Sequence, residues 1–155
     1  MQFSTREDIE APIETVFAEI TDFQAFERSA LRRGAEVRRI DDLSTPGVGM
    51  AWHVGFMMRG KRREIQMQLS EYDPPNGITL SSMSPAMGGA MMIDLVALSR
   101  GRTRMSVDLT LKPKNLASRL LVQTLKLARS NLTKRFKLRA AEYAMDVEDR
   151  YKRSV

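Results

Sequence analysis

The 155-residue sequence contains no cysteine. That excludes disulfides, thiolate nucleophiles and cysteine-bound zinc, and leaves a reducing, cytoplasmic location as the default expectation. A single histidine, His53, excludes multi-histidine metal sites and allows a Ser-His-Asp triad only through that residue. No apolar run approaches the roughly 20 residues of a membrane-spanning helix. The acidic opening MQFSTREDIE lacks the basic and then apolar pattern of a signal peptide. No Gly-rich phosphate loop joins a strand to a helix, and carboxylates do not cluster at metal-ligand spacing, so no metal and no cofactor is expected. What remains is 43% hydrophobic and 28% charged, ordinary for one globular domain spanning 1–155.

Acid is also missing locally. Residues 1–30 hold seven acids and two bases, whereas nine bases and no acid lie between Leu109 and Ala141. Such a stretch suits an anionic membrane or an acidic protein, with Lys126, Lys134 and Lys137 as contact residues, and equally suits a solvated helix face. Nucleic acid is not supported, because few aromatics stand beside those bases to stack on nucleotides.

Periodicity divides the chain into three parts. Phe3–Ile9 forms a first strand. Pro12 starts a helix with Ile13, Val16, Phe17 and Ile20 on one stripe, and Thr21-Asp22 caps a second short helix that buries Phe23 and Phe26. From Gly34 to Lys112 the period is two, as in Glu64–Ser70 and Arg104–Leu111, and Gly- or Pro-bearing turns divide the segment into six strands. After Pro113, Asn115 caps one long helix to about Tyr151, with Leu121, Leu125, Ala128, Leu132, Phe136, Ala140, Tyr143 and Val147 on a continuous face. The fold class is α+β, a seven-stranded antiparallel sheet curved around the C-terminal helix. A strongly twisted sheet does not close flush on one helix, so a cavity between them is expected.

Three short motifs point the same way. Ile9-Glu10-Ala11-Pro12-Ile13-Glu14-Thr15-Val16-Phe17, Thr45-Pro46-Gly47-Val48-Gly49 and Gly101-Arg102-Thr103-Arg104-Met105 stand in the order and spacing of a known superfamily. The chain resembles the helix-grip fold of the START and birch-pollen-allergen superfamily (SRPBCC), which includes polyketide cyclase/dehydrase-like proteins. That resemblance implies an apolar cavity. It implies no particular reaction, because the superfamily shares no universal catalytic residue.

Counting back from a two-residue Arg59-Gly60 turn puts Trp52, Val54, Phe56, Ile65, Met67 and Leu69 on the apolar face and His53 opposite Gln66 on the other. Arg63, opposite Phe56, is the nearest interior base. An even-length Arg100-Gly101 turn sets Asp94 opposite Val107 and Met92 opposite Leu109, both inside; an odd turn or a bulge instead puts Ile93 and Leu95 inside and Asp94 in water. Ser82 and Tyr72 are further polar candidates. The expected ligand-binding residues are therefore Trp52, Val54, Phe56, Met67, Leu69 and Leu80 from the first strands, and Met92, Met105 and Val107 from the last two. Leu125, Leu132 and Phe136 cover them from the helix, and Arg63 and Asp94 set orientation. Nine of eleven methionines lie in this sheet or its turns, fitting an adaptable pocket or simple core filling. The leading expectation is binding or transport of a small lipophilic ligand, with no enzymatic step required. The alternatives are a polyketide cyclase/dehydratase-like enzyme, for which Asp94 is the only nominated acid, and a module docking its basic helix on an anionic membrane or acidic partner.

Overall fold

In a computed structural model that describes residues 1–155, seven strands form one antiparallel sheet. In chain order the elements are β1 (Gln2–Ile9), α1 (Ile13–Ile20), α2 (Phe23–Arg32), β2 (Glu36–Arg39), β3 (Ala51–Met58), β4 (Lys61–Asp73), β5 (Gly77–Ser82), β6 (Met87–Ser99), β7 (Arg102–Pro113), α3 (Leu116–Leu127) and α4 (Arg129–Ser154). The strand order is β1-β7-β6-β5-β4-β3-β2, so the N-terminal strand adds to the last strand of a six-strand meander.

Local chemistry accounts for the boundaries. Asp22 caps α2 by accepting from the Ala25 amide, and Asn115 caps α3 by accepting from the Ser118 amide. Arg59 and Gly60 both take left-handed φ, at 55° and 72°, and close β3 on β4 as a two-residue turn. The resulting register pairs Trp52 with Met67, Val54 with Ile65 and Phe56 with Arg63, as the sequence spacing requires.

Three expectations are corrected. The C-terminal helix is two helices, because the chain breaks at Ala128 (φ −103°, ψ 16°). Phe26 is 43% exposed rather than buried. The β6–β7 pair carries a bulge between Ala97 and Ser99, leaving Leu98 unpaired. Neither Arg100 nor Gly101 is left-handed, so their turn is not one of the primed types that suit a regular two-residue hairpin. One added residue exchanges the two faces of β6. Ile93 pairs with Val107 and Leu95 with Met105 on the inner face, while Met92 and Asp94 turn outward and are exposed.

The core lies at one end of the concave face. Val16, Phe17 and Phe23 from α1 and α2, and Ala144 and Val147 from α4, close over Trp52, Leu69, Ile78, Leu95 and Met105. Ion pairs Arg150–Glu19 (2.8 Å) and Lys152–Glu10 (3.1 Å) tie the end of α4 to α1 and the residue after β1. No helix is long and apolar enough to cross a membrane.

Candidate functional site

The concave face changes character along its length. At the α1–α2 end Trp52 is 2% exposed and held on three sides. Its Nε1 donates to Glu27 (3.0 Å), its ring packs on Phe23 with centroids 5.2 Å apart, and the Arg39 guanidinium lies 6.0 Å above it. Arg39 is in turn fixed by Asp41, whose carboxylate also accepts the Leu43 and Ala51 amides. That guanidinium, with the two amides, holds the Asp41 carboxyl well below the usual carboxylate range. Burial, reinforced by Glu19, raises the Tyr143 phenol well above its ordinary value, so this hydroxyl stays protonated as packing material. Trp52, Leu69, Met105 and Val107 all belong to the closed core, a firmer role than cavity lining.

Toward the other end the apolar side chains are only half covered. Val54, Phe56 and Met67 from β3 and β4, and Leu80 from β5, stay half-buried on the inner face, with Leu125, Leu132 and Phe136 on the helices. Phe56, Met67, Leu125 and Leu132 do not join the core cluster at all. Phe136 reaches Phe3, with ring centroids 5.8 Å apart. Three further residues of this region, Met91, Leu109 and Leu111, were not among the expected ligand-binding set. Leu109 and Leu111 continue the period-two pattern of Met105 and Val107 and were legible; Met91 faces inward only because of the β6 bulge.

Polar groups on this surface are few. Arg63, half-buried and opposite Phe56, has a buried Nε without a hydrogen-bond partner in the protein, and it enters no ion pair with an acid. A buried guanidinium nitrogen left unpaired is costly unless something else satisfies it. Ser82 is satisfied internally, donating to the Met87 carbonyl (2.6 Å), and Tyr72 packs on Phe17 at 5.6 Å. His53 lies on the outer face, half exposed, with Nε2 3.6 Å from Glu64. Asp94 stands on the outer face and exposed, so the acid nominated for catalysis does not reach the concavity.

Two open concavities occur elsewhere. One of about 510 Å³ is lined by Ser4, Thr5, Arg6, Ser106, Asp108 and Lys137, and one of about 430 Å³ by Thr15, Glu19, Arg150, Tyr151, Arg153 and Ser154. Both are polar clefts against α4. No three His, Asp or Glu side chains converge at metal-binding distance.

No protein-family model and no curated protein sequence matches this chain. Solved structures do. The Zhui aromatase/cyclase from Streptomyces sp. R1128 superposes with a TM-score of 0.68 over 97% of this chain and 95% of its own, at 12% identity. The fold is the helix-grip fold. Norcoclaurine synthase from Thalictrum flavum, solved with dopamine and hydroxybenzaldehyde, has a TM-score of 0.61 at 13% identity, covering 81% of this chain and 76% of its own. A START superfamily protein from Mycobacterium smegmatis has a TM-score of 0.55 at 15% identity, covering 86% and 95%. At these identities the shared property of helix-grip proteins is the wrapped sheet, with the space between sheet and helix left to each sequence.

Proposed function

We propose that this helix-grip protein binds a small hydrophobic ligand with an anionic end, seated on the inner face between β3–β7 and α3. The observation that carries this reading is the half-covered apolar surface of Phe56, Met67, Leu125 and Leu132, which the core does not use. Apolar side chains grouped together outside a core mark grooves for ligands and partners more often than isolated ones do. Arg63 supplies the polar contact at the edge of that surface, its guanidinium free of any acid of the protein and able to pair with a carboxylate or similar head group. The known ligands of norcoclaurine synthase, named with its structure, are aromatic and small, which fits a space of this kind. An enzymatic role would need an acid or base other than Asp94.

The test is titration with a fluorescent fatty acid and with its uncharged methyl ester. Binding of the acid, weakened at least tenfold by Met67→Gln and by Arg63→Met while circular dichroism stays native, is the expected result. Ester binding should be indifferent to Arg63→Met. Saturable binding that neither substitution alters would place the ligand elsewhere and end this proposal.

A further inference from the structure

Helix α3, which packs on β7, has a second apolar face, pointing away from the protein. Ser118 and Val122 of α3 are buried, and Leu121 and Leu125 half-buried, against the sheet side. Leu116, Leu120 and Leu127 are instead 72%, 60% and 89% exposed. At 3.6 residues per turn these three leucines fall within about 40° of one another, so they form one stripe along a helix about 18 Å long. Leucine on a solvated helix face is not needed for folding, and three in register form a patch that asks for a partner.

Charge identifies that partner. Arg119 and Lys126 flank the stripe on one side, both exposed, and the exposed Lys112 and Lys114 precede the helix while exposed Arg129 follows it. No acid occurs anywhere between Leu109 and Ala141. A second copy of this chain would bring the same positive field against itself, which opposes self-association through this face. Apolar side chains between exposed bases match the boundary of an anionic bilayer, where lysine and arginine meet the head groups and leucine enters the acyl region.

We propose that α3 is an interfacial helix, lying in the plane of an anionic membrane with Leu116, Leu120 and Leu127 inserted and Arg119 and Lys126 on the head groups. Its opposite face covers the concave surface, so the docked protein presents the edge of that surface to the bilayer. The docking stands independently of the ligand reading, because it uses outward side chains only and is measured with no ligand present.

The test is co-sedimentation of the full chain with vesicles of phosphatidylcholine alone, and of phosphatidylcholine mixed equally with phosphatidylglycerol. Binding to the mixed vesicles and not the neutral ones is expected, decreasing as salt shortens the screening length. Replacing Arg119 and Lys126 together by Gln should weaken it by roughly 25-fold, about fivefold for each base near an anionic surface. The triple change L116Q/L120Q/L127Q should weaken it at least tenfold, and glutamine keeps the helix and leaves every charge in place. Native circular dichroism of both variants shows that the loss is not unfolding. Three outcomes would overturn the proposal. The first is no binding to the mixed vesicles. The second is undiminished binding of the triple variant, which would mean ion pairing alone, as an acidic protein offers. The third is a dimer by light scattering that the triple change dissolves, which would assign the stripe to a second copy.

Discussion

Asp41 and Asp94 show how differently two carboxylates of one chain are used. Asp41 accepts from Arg39 and from the amides of Leu43 and Ala51, and through Arg39 it steadies the ring of Trp52. Its side chain is 7% exposed, so removing it leaves covered donors unpaired, and Asp41→Ala should cost about 2 kcal/mol in chemical denaturation. Because its folded-state pKa lies below the unfolded value near ~3.9, its contribution is complete above about pH 4 and is lost as pH falls below that. Thermal melts of wild type and Asp41→Asn between neutral and acid pH should show a shallower acid decline in the variant. Asp8, held low by Arg104, supplies part of the remaining slope. Asp94 makes no such contacts and stands in solvent. Asp94→Asn should leave stability within roughly 0.5 kcal/mol and ligand affinity unchanged; a loss of either, in melts or titration, would contradict the outward register.

At the scale of elements, the β6–β7 hairpin decides which side chains of β6 join the inner face. The unpaired Leu98 is the extra residue, and it separates the Ser99–Arg102 pair from the Ala97–Thr103 pair. Deleting Leu98 joins those two pairs in regular order and leaves Asp94 opposite Ser106, so the variant is expected to fold with its inner face unchanged. Amide exchange of Met91, Ile93 and Leu95 close to wild type would show this; collapse of protection across β6 would show that the bulge is needed for the twist itself. The break at Ala128 has a similar effect on the helices. It separates α4, which runs beside β1 from Phe136 to Glu148, which accepts the Glu10 amide, and Lys152, which pairs with Glu10, from α3, which packs on β7.

For the whole molecule, the consequence is a division of labour between the two ends of the concave face. The α1–α2 end is dense and closed, and the α3 end is apolar but only half covered. A ligand that fills the open end binds the native state alone, so it must raise stability with concentration, by about 2.7 kcal/mol at a hundred times its dissociation constant. In a chain of this size that corresponds to a melting shift of roughly 5–10 °C. A fluorescent fatty acid that binds without any such shift would not be occupying the space between sheet and helix.

Much of this architecture is legible in the order of residues, because its signals are local. Period-two alternation, the Arg59-Gly60 turn and the Asp22 and Asn115 caps each act over a few residues, and each corresponds to an element that forms. The inward placement of Val54, Phe56, Arg63 and Met67 follows from one turn and the pleat. The facing of Met92 and Asp94 does not, because a single unpaired residue reverses a whole strand, and the Arg100-Gly101 turn read from sequence allows either register. The break at Ala128 is likewise silent in a helix-compatible sequence. Composition shows that apolar and basic residues share the C-terminal segment. Helical periodicity separates Leu121 and Leu125 from Leu116, Leu120 and Leu127, but only packing leaves the second group 60–89% exposed. Burial is a property of the neighbours a side chain acquires, and those are set by strands far away in sequence.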